Sequence, residues 1–182
     1  LMCTREGVIK KTDLMEYSNA PKAGKIAIRL DDDDELIGVA MTSGNDDIFV
    51  GSHEGKVIRF NENDVRSMGR VSRGVRAMTV SDTDYIIGMC IARDCGKLLT
   101  ISENGYGKKT DISEYKVQNR GGKGMMTYRI SEDTGMISGM GIVTPEDDII
   151  LITSEGVVIR IDSEDISTYS RVTKGVRLVR LA

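Results

Sequence analysis

The chain is predicted to be all-β, a propeller-like array of about four antiparallel four-stranded blades of ~50 residues each. Three observations carry that expectation. Glycines recur in two series: Gly7, Gly55, Gly105 and Gly156 are separated by 48, 50 and 51 residues, and Gly24, Gly74, Gly124 and Gly175 by 50, 50 and 51. The stretches between them are short β-branched, apolar runs bounded by turn formers, with little 3.6-residue periodicity and only two prolines. Aromatic residues make up 4% of the chain and Trp is absent, so the cores between units must be aliphatic, and no Trp-Asp or Kelch signature is present. In a repeating chain of this kind, function is sought in what recurs.

Each unit opens with an apolar run, such as Ile48-Phe49-Val50 or Ile149 to Thr153, which meets a turn at Glu54-Gly55, Asn104-Gly105 or Glu155-Gly156. A second run follows, Val57 to Phe60 or Val157 to Ile161. Asn-Gly or Glu-Gly between two such runs predicts a hairpin, because Gly and Asn accept the positive φ angles of the turn. A polar corner comes six residues past the glycine (Asp13, Asn61, Asp111, Asp162), and an acid nine past it (Glu16, Asp64, Glu114, Asp165). The one segment read as a helical turn is 63–68. A loop with basic residues then leads to the second glycine and a further strand, Val75 to Val80 or Val176 to Leu181, and an acidic turn and an apolar strand close the unit. The whole is read as one array over 1–182, with units at 1–30 (partial), 31–80, 81–130 and 131–182. Leu1 enters before the first hairpin and Ala182 stops where an acidic turn is due, so a longer parent is expected.

Hydrophobic residues are 40% and charged residues 29% of the chain, and no apolar run approaches the ~18 residues of a membrane span. With no signal peptide, a cytoplasmic location is expected. Cys3, Cys90 and Cys95 fit neither a zinc pattern nor a disulfide framework and are expected as buried free thiols. His53, the only histidine, is read as a turn residue. No metal site and no catalytic residue is expected: the acid column is distributed over separate units and reads as a structural corner. Asp31 to Asp34 lacks the ligand spacing of a calcium loop and reads as a solvated turn.

Net charge is −3, but it is unevenly spread. Between Lys56 and Arg76 six basic residues face two acids, and the same holds from Lys108 to Arg129. Four residues after each first-series glycine stands a cation: Lys11, Arg59, Lys109 and Arg160. A second set leads into the second series, with Arg70, Arg120 and Arg171 four before the glycine and Arg73, Lys123 and Lys174 directly before it; the first unit offers Lys22. Units set side by side would turn these columns into a basic stripe that a phosphate backbone can follow without reading bases. Gln118-Asn119-Arg120-Gly121-Gly122-Lys123-Gly124 is the densest motif, its glycines allowing close approach to a phosphate between Arg120 and Lys123.

Asp34 to Ala40, Glu54 to Phe60, Met68 to Arg76 and Glu103 to Thr110, with that box-like turn, resemble the C-terminal domain of the bacterial DNA gyrase A subunit, and the resemblance runs through essentially the whole chain. It implies a β-pinwheel whose neighbouring blades exchange strands. The implied function is non-sequence-specific binding, bending and wrapping of double-stranded DNA, which supports ATP-dependent negative supercoiling by the holoenzyme. The implied partners are DNA, the remainder of the gyrase A polypeptide and the gyrase B polypeptide in a heterotetramer, in the bacterial cytoplasm at the nucleoid. The family domain has six blades and this chain resembles the last four. The hallmark box, Gln-Arg-Arg-Gly-Gly-Lys-Gly, belongs to the first blade, and the turn at Gln118 departs from it at Asn119. The cleavage tyrosine, ATP and Mg act elsewhere in the family's holoenzyme, so no cofactor is expected here. The alternatives are the equivalent domain of topoisomerase IV, and a protein-interaction propeller whose partners meet loops and a top face.

Overall fold

The apolar runs pair into hairpins around first-series glycines, and these hairpins are the centres of the sheets. The computed structural model describes residues 1–180. In chain order the strands are β1 (Met2–Thr4), β2 (Val8–Lys10), β3 (Leu36–Val39), β4 (Asp47–Ser52), β5 (Lys56–Asn61), β6 (Val75–Arg76), β7 (Ile86–Ile91), β8 (Lys97–Ser102), β9 (Tyr106–Asp111), β10 (Met125–Met126), β11 (Ile137–Val143), β12 (Asp148–Ile152), β13 (Val158–Asp162) and β14 (Val176–Arg177). Among the described residues they form three four-stranded sheets, ordered β3-β1-β2-β6, β7-β4-β5-β10 and β11-β8-β9-β14, and a two-stranded hairpin, β12-β13. All strand pairings are antiparallel. The fourth blade is represented among the described residues by its central hairpin.

The turns differ from a two-residue Asn-Gly geometry. Only the glycine takes a positive φ, and its N–H closes onto the carbonyl three residues earlier, as Gly55 does to Ser52 at 3.1 Å and Gly105 to Ser102 at 3.0 Å. The predicted helical turn lies slightly earlier than 63–68 and recurs: single 3-10 turns span Leu14–Tyr17, Glu62–Asp64, Ile112–Glu114 and Ser163–Asp165. Each is capped by the corner residue six past the glycine, whose side chain accepts the N–H two residues on (Asn61 from Asn63, Asp111 from Ser113). The acid column sits inside these turns, as the structural reading expected.

Strands after the second glycine are two residues long rather than six, and they leave their own unit. β6 pairs with β2, β10 with β5 and β14 with β9, in the registers Val75↔Ile9, Met125↔Val57 and Val176↔Gly107. Each unit thus lends a strand to the sheet before it and keeps its last strand on its own hairpin. Residue 181 of the expected strand and Ala182 lie outside the described residues.

The cores are aliphatic, with few aromatics. One cluster joins Ile9, Ile48, Val50, Ile58, Phe60, Val65, Met78 and Ile86 across the first two sheets. A second is built on Phe49, Val57, Leu98, Tyr115 and Ile142, with the Phe49 and Tyr115 rings edge-on at 5.6 Å. A third holds Leu99, Val143, Ile149 and Ile166.

Two expectations need correction, and the reading of His53 holds with an addition. Cys3 is buried, but Cys95 is exposed in a turn where it takes a φ of 59°. Asp34 is buried rather than solvated, because its carboxylate accepts the N–H groups of Glu6 and Glu35, both at 2.9 Å, and so pins the first hairpin turn. His53 is a turn residue that also joins units: its ring stacks on Tyr85 at 4.5 Å and its Nδ1 lies 2.9 Å from the carbonyl of Ile137.

Candidate nucleic-acid interface

Strand exchange places each basic loop directly against the residues that follow the previous one. The N–H of Arg29 donates to Ser72 (3.3 Å), that of Thr79 to Gly122 (2.9 Å) and that of Arg129 to Thr173 (3.2 Å). The arginines four before the second glycine make the same connection with their side chains. Nη1 of Arg70 donates to the carbonyl of Ile26 (2.8 Å), that of Arg120 to Arg76 (3.1 Å) and that of Arg171 to Met126 (3.0 Å). Each acceptor lies two residues past the preceding second-series glycine. The loops at 70–74, 120–124 and 171–175 are therefore joined into one row, and Nε of Arg120 adds a bond to the Asp64 carbonyl at 2.8 Å.

The residues directly before the glycine keep their charged heads outward. Arg73 and Lys174 have side chains 59% and 49% exposed and meet acids of the neighbouring turns, Arg73 with Asp31 and Lys174 with Asp133 at 3.7 Å. Lys123 is exposed and makes no ion pair among the described residues. Lys22 is likewise exposed, on the loop of the first unit. The row also contains exposed cations that column reading missed, among them Arg76, Arg129 and Arg177. Arg76 and Arg177 stand two past the second glycine and Arg129 five past it, positions not basic in every unit. A search for columns filled in all four units passes over them.

The column at Lys11, Arg59, Lys109 and Arg160 has other neighbours. Nζ of Lys11 donates to the Glu62 carbonyl at 3.0 Å and lies 3.4 Å from its buried carboxylate. Arg59 donates from Nη1 to the carbonyls of Ile112 (3.0 Å) and Tyr115 (3.1 Å), and from Nε and Nη2 to Asp47. Lys109, only 8% exposed, donates to the carbonyl of Ser163. These three heads grip the 3-10 turn of the following unit, so their charge is taken up inside the array. Arg160 is exposed and paired with Asp148.

Two further lysines lie beneath the row. Lys10 and Lys108, three past the first glycine, are fully buried. Nζ of Lys10 donates to the carbonyls of Ala27 (2.5 Å) and Arg70, and Nζ of Lys108 to those of Ser170 (2.6 Å) and Arg171. Isoleucines fill the same place in the other units, Ile58 and Ile159. Burial pushes Lys108 down to about 8, with Glu114 opposing and Arg171 assisting the shift. An unfolded lysine still binds its proton where the folded one has released it, so folding stability should rise with pH from about 8 towards 9.5, by roughly 1 kcal/mol per pH unit. Urea unfolding at several pH values checks this, and Lys108→Met should flatten the rise.

The box-like turn closes tightly. Gly121 takes a φ of +84° and its N–H donates to Ala77 at 2.6 Å, while its carbonyl accepts the Thr79 hydroxyl at 2.8 Å. A Cβ at Gly122 would lie 3.5 Å from Ile58 Cδ1. Among the described residues no group of three or more His, Cys, Asp or Glu side chains is placed to hold a metal, and no helix is long and apolar enough to cross a membrane.

A strand-exchanged array of hairpin-centred sheets with a row of cationic loops along it defines a β-propeller-type domain. The family model for the "DNA gyrase C-terminal domain, beta-propeller" matches residues 1–43, 46–89, 96–144 and 147–182, and the chain belongs to that family. It is 42% identical over its full length to the DNA gyrase A subunit of Staphylococcus epidermidis and 41% identical to that of Staphylococcus aureus. It covers 20% and 21% of those relatives, about a fifth of their length. Among solved structures it resembles a C-terminal domain of DNA topoisomerase IV, with a TM-score of 0.93 and 26% identity over 99% of this chain and 57% of that one. It also resembles a DNA gyrase A C-terminal domain, with a TM-score of 0.91 and 26% identity over 100% of this chain and 61% of that one.

Proposed function

We propose that this chain is a non-catalytic module that binds and bends duplex DNA without reading its sequence, as part of a gyrase A polypeptide. The observation that carries this is the hydrogen-bonded row of loops at 70–74, 120–124 and 171–175, each presenting exposed cations at a recurring place. A phosphate backbone is the ligand that such a row suits, because its charges repeat along a line whatever the bases are. Arg73, Arg76, Lys123, Arg129, Lys174 and Arg177 are the residues assigned to it, with Lys22 extending the row.

The partners proposed are double-stranded DNA, the remainder of the gyrase A polypeptide, and gyrase B, in a heterotetramer of the bacterial cytoplasm. ATP hydrolysis and strand passage are assigned to those other parts, and no cofactor is assigned to this chain. The equivalent domain of topoisomerase IV is the second reading, favoured by the TM-score of 0.93. Assays of the assembled holoenzyme separate the two, since gyrase introduces negative supercoils into relaxed circles and topoisomerase IV does not.

A titration of duplex binding against salt tests DNA binding itself. Six neutralised phosphates should give log K against log salt a slope of about −5. A flat response, or no binding at low salt, removes the proposal.

A further inference from the structure

We infer that Arg59 is the positioning residue for the box-like turn Gln118–Gly124, and that through it this residue sets how far bound DNA is bent. The second half rests on the DNA-bending reading above. Arg59 holds the whole approach to that turn. Its backbone bridges to Val117, its carbonyl accepts the N–H of Gln118 at 2.7 Å, and its Nη1 binds the carbonyls at both ends of the Ile112 to Tyr115 turn. Asp47 of its own hairpin receives Nε at 2.9 Å and Nη2 at 2.6 Å, which fixes the guanidinium plane.

The joints on either side repeat the backbone bridge and the carbonyl bond, with Met68 on Lys11 and Tyr169 on Lys109 both at 2.8 Å, but their side chains differ. There the column residue is a lysine that grips one carbonyl of the next turn, Lys11 on Glu62 and Lys109 on Ser163. The basic loop itself is tied down from below by Lys10 or Lys108. At the middle joint the residue below is Ile58, which has no donor to offer and only packs near Gly122. One forked arginine therefore grips two carbonyls of the turn at 112–115 where each lysine grips one, and the loop that follows, with its two consecutive glycines, has no lysine beneath it.

The test compares the 182-residue chain with Arg59→Lys, which keeps the charge and the stem but loses the fork. Amide exchange in the free protein is the first readout. Gln118 and Gly121 should exchange at least tenfold faster in the variant, while Ser72 and Thr173 in the neighbouring loops stay as they were; unchanged exchange at 118–124, or acceleration everywhere alike, overturns the inference. The bend of an end-labelled duplex at saturating protein is the second, and it should be smaller for Arg59→Lys. An equal bend despite loosened exchange sinks the link to DNA. The third is the salt slope of Arg59→Met, expected to equal that of the parent; a slope shallower by about 1 would make Arg59 a phosphate contact instead. If the parent chain binds no duplex, the proposed function has failed, and the exchange comparison still decides whether Arg59 positions the turn.

Discussion

Replacing Arg73, Lys123 and Lys174 together with alanine is expected to make the salt slope of duplex binding shallower by about 3 and to weaken binding several hundredfold at about 0.1 M salt. The reasoning is a count of heads that face water. All three sit directly before a second-series glycine, on loops whose backbones are bonded into one row, and none has its charge taken up by a backbone carbonyl. The acids beside Arg73 and Lys174 are themselves exposed, at 41% and 70%, so exchanging them for phosphate costs little. The loss should be the same on unrelated duplex sequences, because nothing in the row is shaped to read base edges. Gel shifts over a salt series check this. A loss confined to one sequence, or a slope that does not move, would contradict the assignment.

Gly124→Ala is expected to destabilise the fold by roughly 3 kcal/mol, against roughly 1 kcal/mol for Gly24→Ala. Both glycines have left-handed φ angles, +69° and +80°. A side chain is disfavoured at either place for that reason alone. At Gly124 a Cβ would also fall 2.7 Å from the carbonyl oxygen of Val57, in the strand that receives β10. The oxygen belongs to a ladder and cannot give way, so the exchanged strand must lift. At Gly24 no atom lies within 4 Å of that position. Urea unfolding of the two variants gives the difference directly, and equal losses would mean that the close approach contributes nothing.

The glycine series could be read from the letters because each position has a steric demand that other residues meet only at a cost, and such a demand leaves the same mark in every unit. The hairpins followed from it, while the aliphatic cores followed from the scarcity of aromatic residues. Exchange of β6, β10 and β14 was not legible from the residues themselves: a two-residue Val-Arg or Met-Met strand reads the same whether it pairs at home or next door, and only the family resemblance supplied it. The fate of the cations was hidden for a related reason. Arg59 and Arg73 are the same residue type, yet one head lies among backbone carbonyls and the other in water. What separates them is the strand on which each sits. Arg59 lies in β5, between two sheet neighbours, where a long polar side chain must find acceptors nearby. Arg73 lies on a loop. A column occupied in every unit is therefore as much a mark of a repeated joint as of a repeated ligand contact.

Lending a strand backwards also changes what it means to break this chain. A cut in the loop at 66–73 would sever the covalent link between the second hairpin and the strands that follow it, yet β6 would remain in the first sheet and β7 in the second. The two pieces would be interlocked like links whose clasps lie inside their neighbours. Continuity of the array is thus held twice, once by peptide bonds and once by borrowed strands, and a load pulling its units apart must shear a β ladder as well as straighten a loop.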